Sequence, residues 1–231
     1  MSDRKTAILK QAPLFAGCPP EALADLARVA LLQVLPAGTA IFAKGDAGDR
    51  LYIVVSGKVR ISTTGPDSQQ LTLNILGPGA LLGEVALADG GARTADAGTI
   101  GVAELLILHR RDIHDLLLRR PDVALRMLAA LSERVRWISA RYEDSVFLEL
   151  PARLAKRLLI LDDLFGVERD GARVINLKMS QRDLSNAMHV TRESINRTLK
   201  AWSDAGVVGF EDGIVTVLDR RQLEGFVLAA D

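Results

Sequence analysis

The 231-residue sequence predicts an α+β chain in three parts: a β-rich unit, one long amphipathic helix, and a small helical unit closed by a hairpin. Three observations carry this reading. From about residue 31 to 108, short apolar runs such as "LYIVV", "VRIST", "LTLNIL" and "ELLIL" alternate with glycines, the texture of a compact antiparallel barrel or sandwich. After Pro121, apolar residues recur at spacings of three and four over roughly 25 residues. Near the C-terminus, in "GVVGFEDGIVTVL", two apolar runs flank Glu-Asp-Gly, which is a hairpin signal. The boundaries expected from these changes of texture are 1–120, 121–150 and 151–231.

Residues 5–30 carry short helical patterns, and "CPPEALADLARVA" has the proline-then-acid start of a helix. The β-rich stretch is read with turns at Gly38, Gly45, Gly48, Gly57, Gly65, Gly77, Gly79 and Gly101. A short helix follows residue 110 and breaks at Pro121. Along the long helix, Leu128, Leu131, Val135, Ile138 and Tyr142 form an a/d seam, with Glu133, Arg134, Arg136 and Arg141 beside it. A seam this narrow predicts a two-helix dimer contact; the plainer alternative is a helix laid against its own barrel. Pro151 ends or kinks that helix. Beyond it come a helix "ARLAKRLLILDDLF", a loop "GVERDGARV", two short helices and the hairpin.

Composition narrows the function classes. The formal net charge is zero, so any nucleic-acid site must be a local patch rather than a property of the whole surface. Hydrophobic residues at 48% and charged residues at 25% are ordinary for a globular chain with room for two cores. The one cysteine, Cys18, leaves no internal disulfide, iron–sulfur cluster or all-cysteine zinc site. His109, His114 and His189 are read as a strand end, a surface helix and a turn, so neither metal nor haem is expected. With no signal peptide and no apolar run of about 18 residues, the chain is expected in the cytoplasm, away from membranes.

The stretch "GALLGEVALADGGARTADAG", residues 79–98, holds few charges amid small residues, and Glu84 and Arg93 stand out. Arg93 offers a planar fork of donors suited to phosphate oxygens. Gly83, Gly90 and Gly91 keep side chains away, so backbone N–H groups could join it. A carboxylate repels phosphate, so Glu84 must accept from something else, and a ribose hydroxyl fits. Thr94 can donate to phosphate or touch a base. Phosphate beside ribose means a nucleotide; the competing reading is a simple Glu84–Arg93 ion pair. "GEVAL…ARTA" late in a glycine-punctuated β-roll resembles the phosphate-binding cassette of cyclic-nucleotide-binding domains. The resemblance implies a ligand site at Gly83, Glu84, Val85, Arg93 and Thr94.

The second signal is "MSQRDLSNAMHVTRESINRTLKAW", residues 179–202. Ser180 with Asp183 reads as a variant capping box, and Leu184, Ala187 and Met188 give the first helix a buried face. His189 and Val190 make a turn. Thr191 can cap a second helix whose inward face is Ile195, Leu199 and Trp202. Two short helices joined by a tight turn suggest a helix-turn-helix, whose second helix enters the major groove. Its polar face holds Arg192, Glu193, Asn196 and Arg197; arginine reads guanine and glutamate accepts from cytosine. Arg173, Lys178, Arg182, Arg192, Arg197 and Lys200 face only Asp183 and Glu193, a local basic patch.

The order of parts and "TRESINRTL" are similar to the cyclic-AMP receptor/fumarate-nitrate regulator (Crp/Fnr) family of bacterial transcription factors. The resemblance covers nearly the whole chain: a cyclic-nucleotide-binding β-roll, a dimerisation helix and a winged helix-turn-helix. It implies a homodimer, double-stranded DNA with TGTGA-type half-sites, RNA polymerase as partner, no enzymatic activity, and base reading by Arg192, Glu193 and Arg197, with Arg182, Thr191, Asn196 and Lys200 around them. It also implies nucleotide contacts from the dimer helix at Arg134, Ile138 and Ser139. Isoleucine at 138 replaces the threonine that bonds adenine, whereas Thr94 resembles what cyclic-GMP-selective domains use. Cyclic AMP is therefore the favoured ligand, cyclic GMP the next. Alternatives are a scaffold answering to cyclic di-GMP or to no ligand, or a regulatory adaptor of an enzyme or channel.

Overall fold

The computed structural model describes residues 2–65, 70–169 and 171–229. The chain divides into two compact units, and the main division falls between Trp137 and Ile138, with the short stretch 65–71 also assigned to the second.

In the first unit, α1 (Ser2–Gln11), a single 3-10 turn (Pro13–Phe15) and α2 (Pro20–Val29) precede the strands β1 (Leu31–Leu35), β2 (Ala40–Phe42), β3 (Arg50–Thr64), β4 (Gln70–Leu76) and β5 (Leu81–Leu82). Then follow α3 (Glu84–Asp89), β6 (Asp96–His109), α4 (Arg110–Arg119) and α5 (Pro121–Phe147), whose residues from Ile138 onward belong to the second unit. The strand order is β1-β6-β3-β4, with β2 on β6 and β5 on β3. Successive residues of a strand point to opposite faces. Along β3, Leu51 and Ile53 enter a core with α1, α2 and α4, while Tyr52 and Val54 fill a second core inside the strands. Leu106 and Leu108 against Leu105 and Ile107 repeat the division on β6. Burial on both faces explains why "LYIVV" and "LLIL" are apolar throughout.

Two glycines expected at turns lie inside strands. Gly57 (φ 79°) sits in β3 where the register with β6 shifts, and a Cβ there would stand 2.3 Å from the Val102 carbonyl oxygen. Gly101 (φ 71°) lies within β6. Each marks a kink in a continuous strand rather than a reversal, so "LYIVV" and "VRIST" belong to one strand.

The second unit contains α6 (Leu150–Phe165), β7 (Gly166–Arg169), β8 (Ala172–Ile175), α7 (Gln181–Met188), α8 (Arg192–Asp204), β9 (Val208–Glu211), β10 (Ile214–Val217) and α9 (Arg220–Leu228). Pro151 opens α6, its missing N–H harmless in the first turn. The segment expected to be a loop, "GVERDGARV", instead forms β7 and β8, and both hairpins join one sheet of order β7-β8-β10-β9. At the tip of the β9–β10 hairpin Asp212 and Gly213 have φ of 50° and 80°, as a two-residue primed turn needs. Helix α9 had no expectation behind it. It is capped by Asp219, whose side chain accepts from the Gln222 N–H, and Phe226 stacks on Trp202 at 5.1 Å.

Candidate functional site

The glycine-rich stretch is less of a loop than its composition suggests, for Glu84–Asp89 closes into α3. Gly83 caps that helix at φ 87°, and a Cβ on it would stand 2.3 Å from Nη1 of Arg93. Glycine here serves both a left-handed backbone and the close approach of a guanidinium. Arg93 is 4% exposed. Its Nη1 donates to the Gly83 carbonyl at 3.1 Å and its Nη2 to the Arg50 carbonyl at 2.7 Å. The guanidinium lies 4.4 Å over the Phe42 ring and 5.7 Å from that of Tyr52. The backbone is held as firmly: Arg93 N–H donates to the Asp46 carbonyl at 2.8 Å, and Gly45 N–H to the Arg93 carbonyl at 2.9 Å. One donor is left over, because the buried Nε of Arg93 has no acceptor among the described residues.

Glu84 does not pair with Arg93. It is half-buried at the start of α3, and no described residue bonds its carboxylate. Val85 is 37% exposed and Thr94 is exposed. The other end of α3 is fastened by Arg110, whose Nε donates to the Leu87 carbonyl at 3.1 Å. Phe42, Arg50 and Arg110 were not anticipated at this site. Arg50 and Phe42 precede Arg93 by more than forty positions, and a carbonyl acceptor leaves no trace in residue type.

On α5, Leu128, Val135, Ile138 and Tyr142 are 59%, 63%, 53% and 71% exposed, whereas Leu131 packs partly against the first unit's core. The apolar row runs on through Val146 and Phe147, both exposed. Arg134 lies 5.0 Å over the Trp137 ring, and Ser139 is exposed.

The second candidate site is built on caps. Ser180 Oγ accepts from the Asp183 N–H at 3.1 Å, and Asp183 Oδ2 accepts from the Ser180 N–H at 2.9 Å, closing a capping box on α7. His189, at φ 56°, ends α7 in the left-handed region. Thr191 Oγ1 then accepts from the Ser194 N–H at 3.2 Å and starts α8. Leu184, Ala187, Met188, Ile195, Leu199 and Trp202 are buried. Arg182, Thr191, Arg192, Glu193, Arg197 and Lys200 are exposed. Asn196 is half-buried with its Oδ1 inside and unpartnered, so that acceptor is turned from solvent.

One member of the expected basic patch is engaged elsewhere. Arg173 Nε donates to Asp162 Oδ1 at 2.8 Å, and Arg220 Nη1 to Asp162 Oδ2 at 2.6 Å. Asp162 is fully buried, so both arginines are committed to compensating it. Burial raises the Cys18 thiol above its ordinary pKa, as befits a packed thiol. Among the described residues no cluster of three or more His, Cys, Asp or Glu stands ready for a metal, and no helix is long and apolar enough to cross a membrane.

Comparison with known proteins follows the same division. Residues 32–120 match the cyclic nucleotide-binding domain, and residues 152–226 match the Crp-like helix-turn-helix domain. The chain is 32% identical over 216 residues to a CRP-like cAMP-activated global transcriptional regulator of Mycobacterium tuberculosis, covering 94% of this chain and 96% of that one. It is 37% identical over 217 residues to the cyclic AMP receptor protein of Thermus thermophilus, covering 94% and 97%. Among solved structures, the catabolite activator protein of Thermus thermophilus matches at 34% identity over 95% of this chain and all of that one, with a TM-score of 0.54. TTHA1359 of the same organism, at 24% identity and a TM-score of 0.74 over 87% of this chain and all of that one, shares the fold.

Proposed function

Since the chain belongs to the Crp/Fnr family of transcription regulators, with a cyclic nucleotide-binding domain joined to a DNA-binding helix-turn-helix, we propose that it is a homodimer whose DNA affinity is set by cyclic AMP. Cyclic GMP is the second ligand to consider. The observation that carries the reading is Arg93: a buried cation whose Nε–H finds no acceptor among the described residues, in the same stretch as a carboxylate, Glu84, that no described residue bonds. Burying a donor without an acceptor is unfavourable, so a site in this state is built for something that completes it. A cyclic phosphate would accept from Arg93 and the backbone of the glycine stretch. A ribose hydroxyl would donate to Glu84, and Thr94 would assist. Val85 would flank the nucleotide. The regulators from Mycobacterium tuberculosis and Thermus thermophilus carry cyclic AMP in their names, which supports the adenine nucleotide.

The exposed row on α5 is the surface offered to a second copy. Arg134, Ile138 and Ser139 are assigned to the nucleotide from their places in the family pattern. On α8, Arg192 and Arg197 read guanines and Glu193 a cytosine in TGTGA-type half-sites. Arg182, Thr191, Asn196 and Lys200 position the helix on the backbone, and Asn196 would have to turn its amide to do so. A role at promoters implies the cytoplasm and contact with RNA polymerase. In this reading the domains are 1–120 for sensing, 121–150 for dimerisation and hinge, and 151–231 for DNA. Calorimetry with cyclic AMP, cyclic GMP and cyclic di-GMP, paired with gel shifts on a TGTGA-type duplex, tests this. Heat from neither mononucleotide would end the proposal.

A further inference from the structure

Arg93 is a buried cation that no carboxylate of a described residue pairs with; its guanidinium is held by the Gly83 and Arg50 carbonyls and by the rings of Phe42 and Tyr52. The acids closest in the chain, Asp89 and Asp96, and Asp46 across the loop, are turned to main-chain N–H groups instead. Asp89 Oδ1 accepts from Gly91, Asp96 Oδ1 from Lys44 and Asp46 Oδ2 from Ala43, each at 2.8 Å. Burying a charge without a counter-charge is costly, so whatever replaces the anion matters. An aromatic quadrupole attracts a cation within about 6 Å of the ring centroid, most strongly where water is excluded. Phe42 is the nearer ring, at 4.4 Å, and it packs against the core inside the strands. It comes from β2, whose register with β6 shifts between Ala40 and Phe42, the kind of irregularity that re-aims a side chain. Its ring stands 5.8 Å from that of Tyr52, so the guanidinium meets two adjoining rings.

We propose that, with Arg93 read as the phosphate contact, Phe42 is a positioning residue that sets nucleotide affinity through the Arg93 guanidinium. A carboxylate in its place would hold Arg93 too, but would cancel its charge, and a phosphate would then have to displace it. Carbonyl dipoles and a ring face hold the cation without neutralising it, so its attraction stays available to an incoming anion. The ring also keeps the long side chain in one place before the ligand arrives. Ordering a free arginine at the moment of binding would weaken affinity by about two- to tenfold. Phenylalanine carries no polar atom, so its residue type gives no sign of a part in an anion site.

The test uses the full-length protein and calorimetry with cyclic AMP and cyclic GMP, each titrated separately. Fluorinated phenylalanines placed at position 42 alone, with one, two and three ring fluorines, nearly keep the shape of the side chain while draining electron density from its face. Affinity should fall in step with the fluorine count. The trifluorinated ring and Phe42→Leu should end together, about two- to tenfold weaker than the wild type. A ring that serves packing alone would give a flat series. A ring stacked on the purine would hold or gain affinity as it became electron-poor. Either result overturns the proposal while leaving Arg93 as the phosphate contact, and so does Phe42→Leu binding as tightly as the wild type. Absence of heat from both nucleotides on the wild type overturns the reading of the site, and the role of Phe42 with it.

Discussion

Gly83 and Arg93 occupy adjoining space, and each makes sense of the other. With a Cβ at 2.3 Å from Nη1, residue 83 cannot be alanine unless the guanidinium leaves its place over Phe42. Arg93→Ala should cost cyclic-nucleotide binding about 2–5 kcal/mol, a loss of thirtyfold or more by calorimetry. It should also lower stability, since the Gly83 and Arg50 carbonyls lose their donors. Gly83→Ala should reproduce the affinity loss with Arg93 still present, and unchanged affinity in both variants would show that the nucleotide binds elsewhere. In the recognition helix, Arg192→Ala should cost about 1–3 kcal/mol and relax preference at one guanine in a randomised-site selection. Glu84 and Arg93 were legible because an acid straight after a glycine and a single base in a run of small residues call for a reason. What they touch was not, because main-chain carbonyls and a phenylalanine fifty positions away carry no local signature.

Caps and periodicity made most elements legible, and the exceptions have physical reasons. The capping box at Ser180 and the cap at Thr191 lie where side-chain chemistry put them. Thr191→Ala should cost about 1 kcal/mol in chemical denaturation and loosen the start of α8, where DNA is to be read. Helix α3 leaves little trace in the sequence because glycines flank it and six residues show too little of a period. The β7–β8 hairpin was read as loop because "VERDGARV" has only a brief alternation; its pairing with β10 supplies what propensity does not. For α9 the stabilising contacts come from afar: Arg220 reaches Asp162 and Asp163, and Phe226 reaches Trp202. The seam on α5 was legible as a pattern, and exposure of Leu128, Val135, Ile138 and Tyr142 in the single chain leaves it needing a cover. Val135→Glu would set two carboxylates face to face in a dry contact, so sedimentation should show monomers. A variant that stays dimeric would move the interface off this row.

At the scale of the whole molecule, the proposed gating would put the sensing and reading parts in one equilibrium, and ligand-gated DNA binding has a thermodynamic signature that its separate parts lack. If the nucleotide favours the dimer state whose recognition helices fit successive major grooves, about 34 Å apart, duplex must favour the nucleotide-bound state by the same factor. A coupling of about 1–3 kcal/mol corresponds to a five- to 150-fold change in either affinity. Cyclic AMP should therefore tighten binding to a TGTGA-type duplex by a factor in that range, and saturating duplex should tighten cyclic AMP by the same factor. Arg93→Ala separates gating from reading: its affinity for duplex without nucleotide should equal that of the wild type, while stimulation disappears. Ile138→Thr, which restores a hydroxyl for the adenine amino group, should raise the preference for cyclic AMP over cyclic GMP by roughly fivefold, the worth of about 1 kcal/mol, with the duplex contacts untouched. A factor that differs between the two directions of coupling, or stimulation that survives in Arg93→Ala, would mean that the nucleotide acts at a different site or that the duplex is bound by a state the nucleotide does not select.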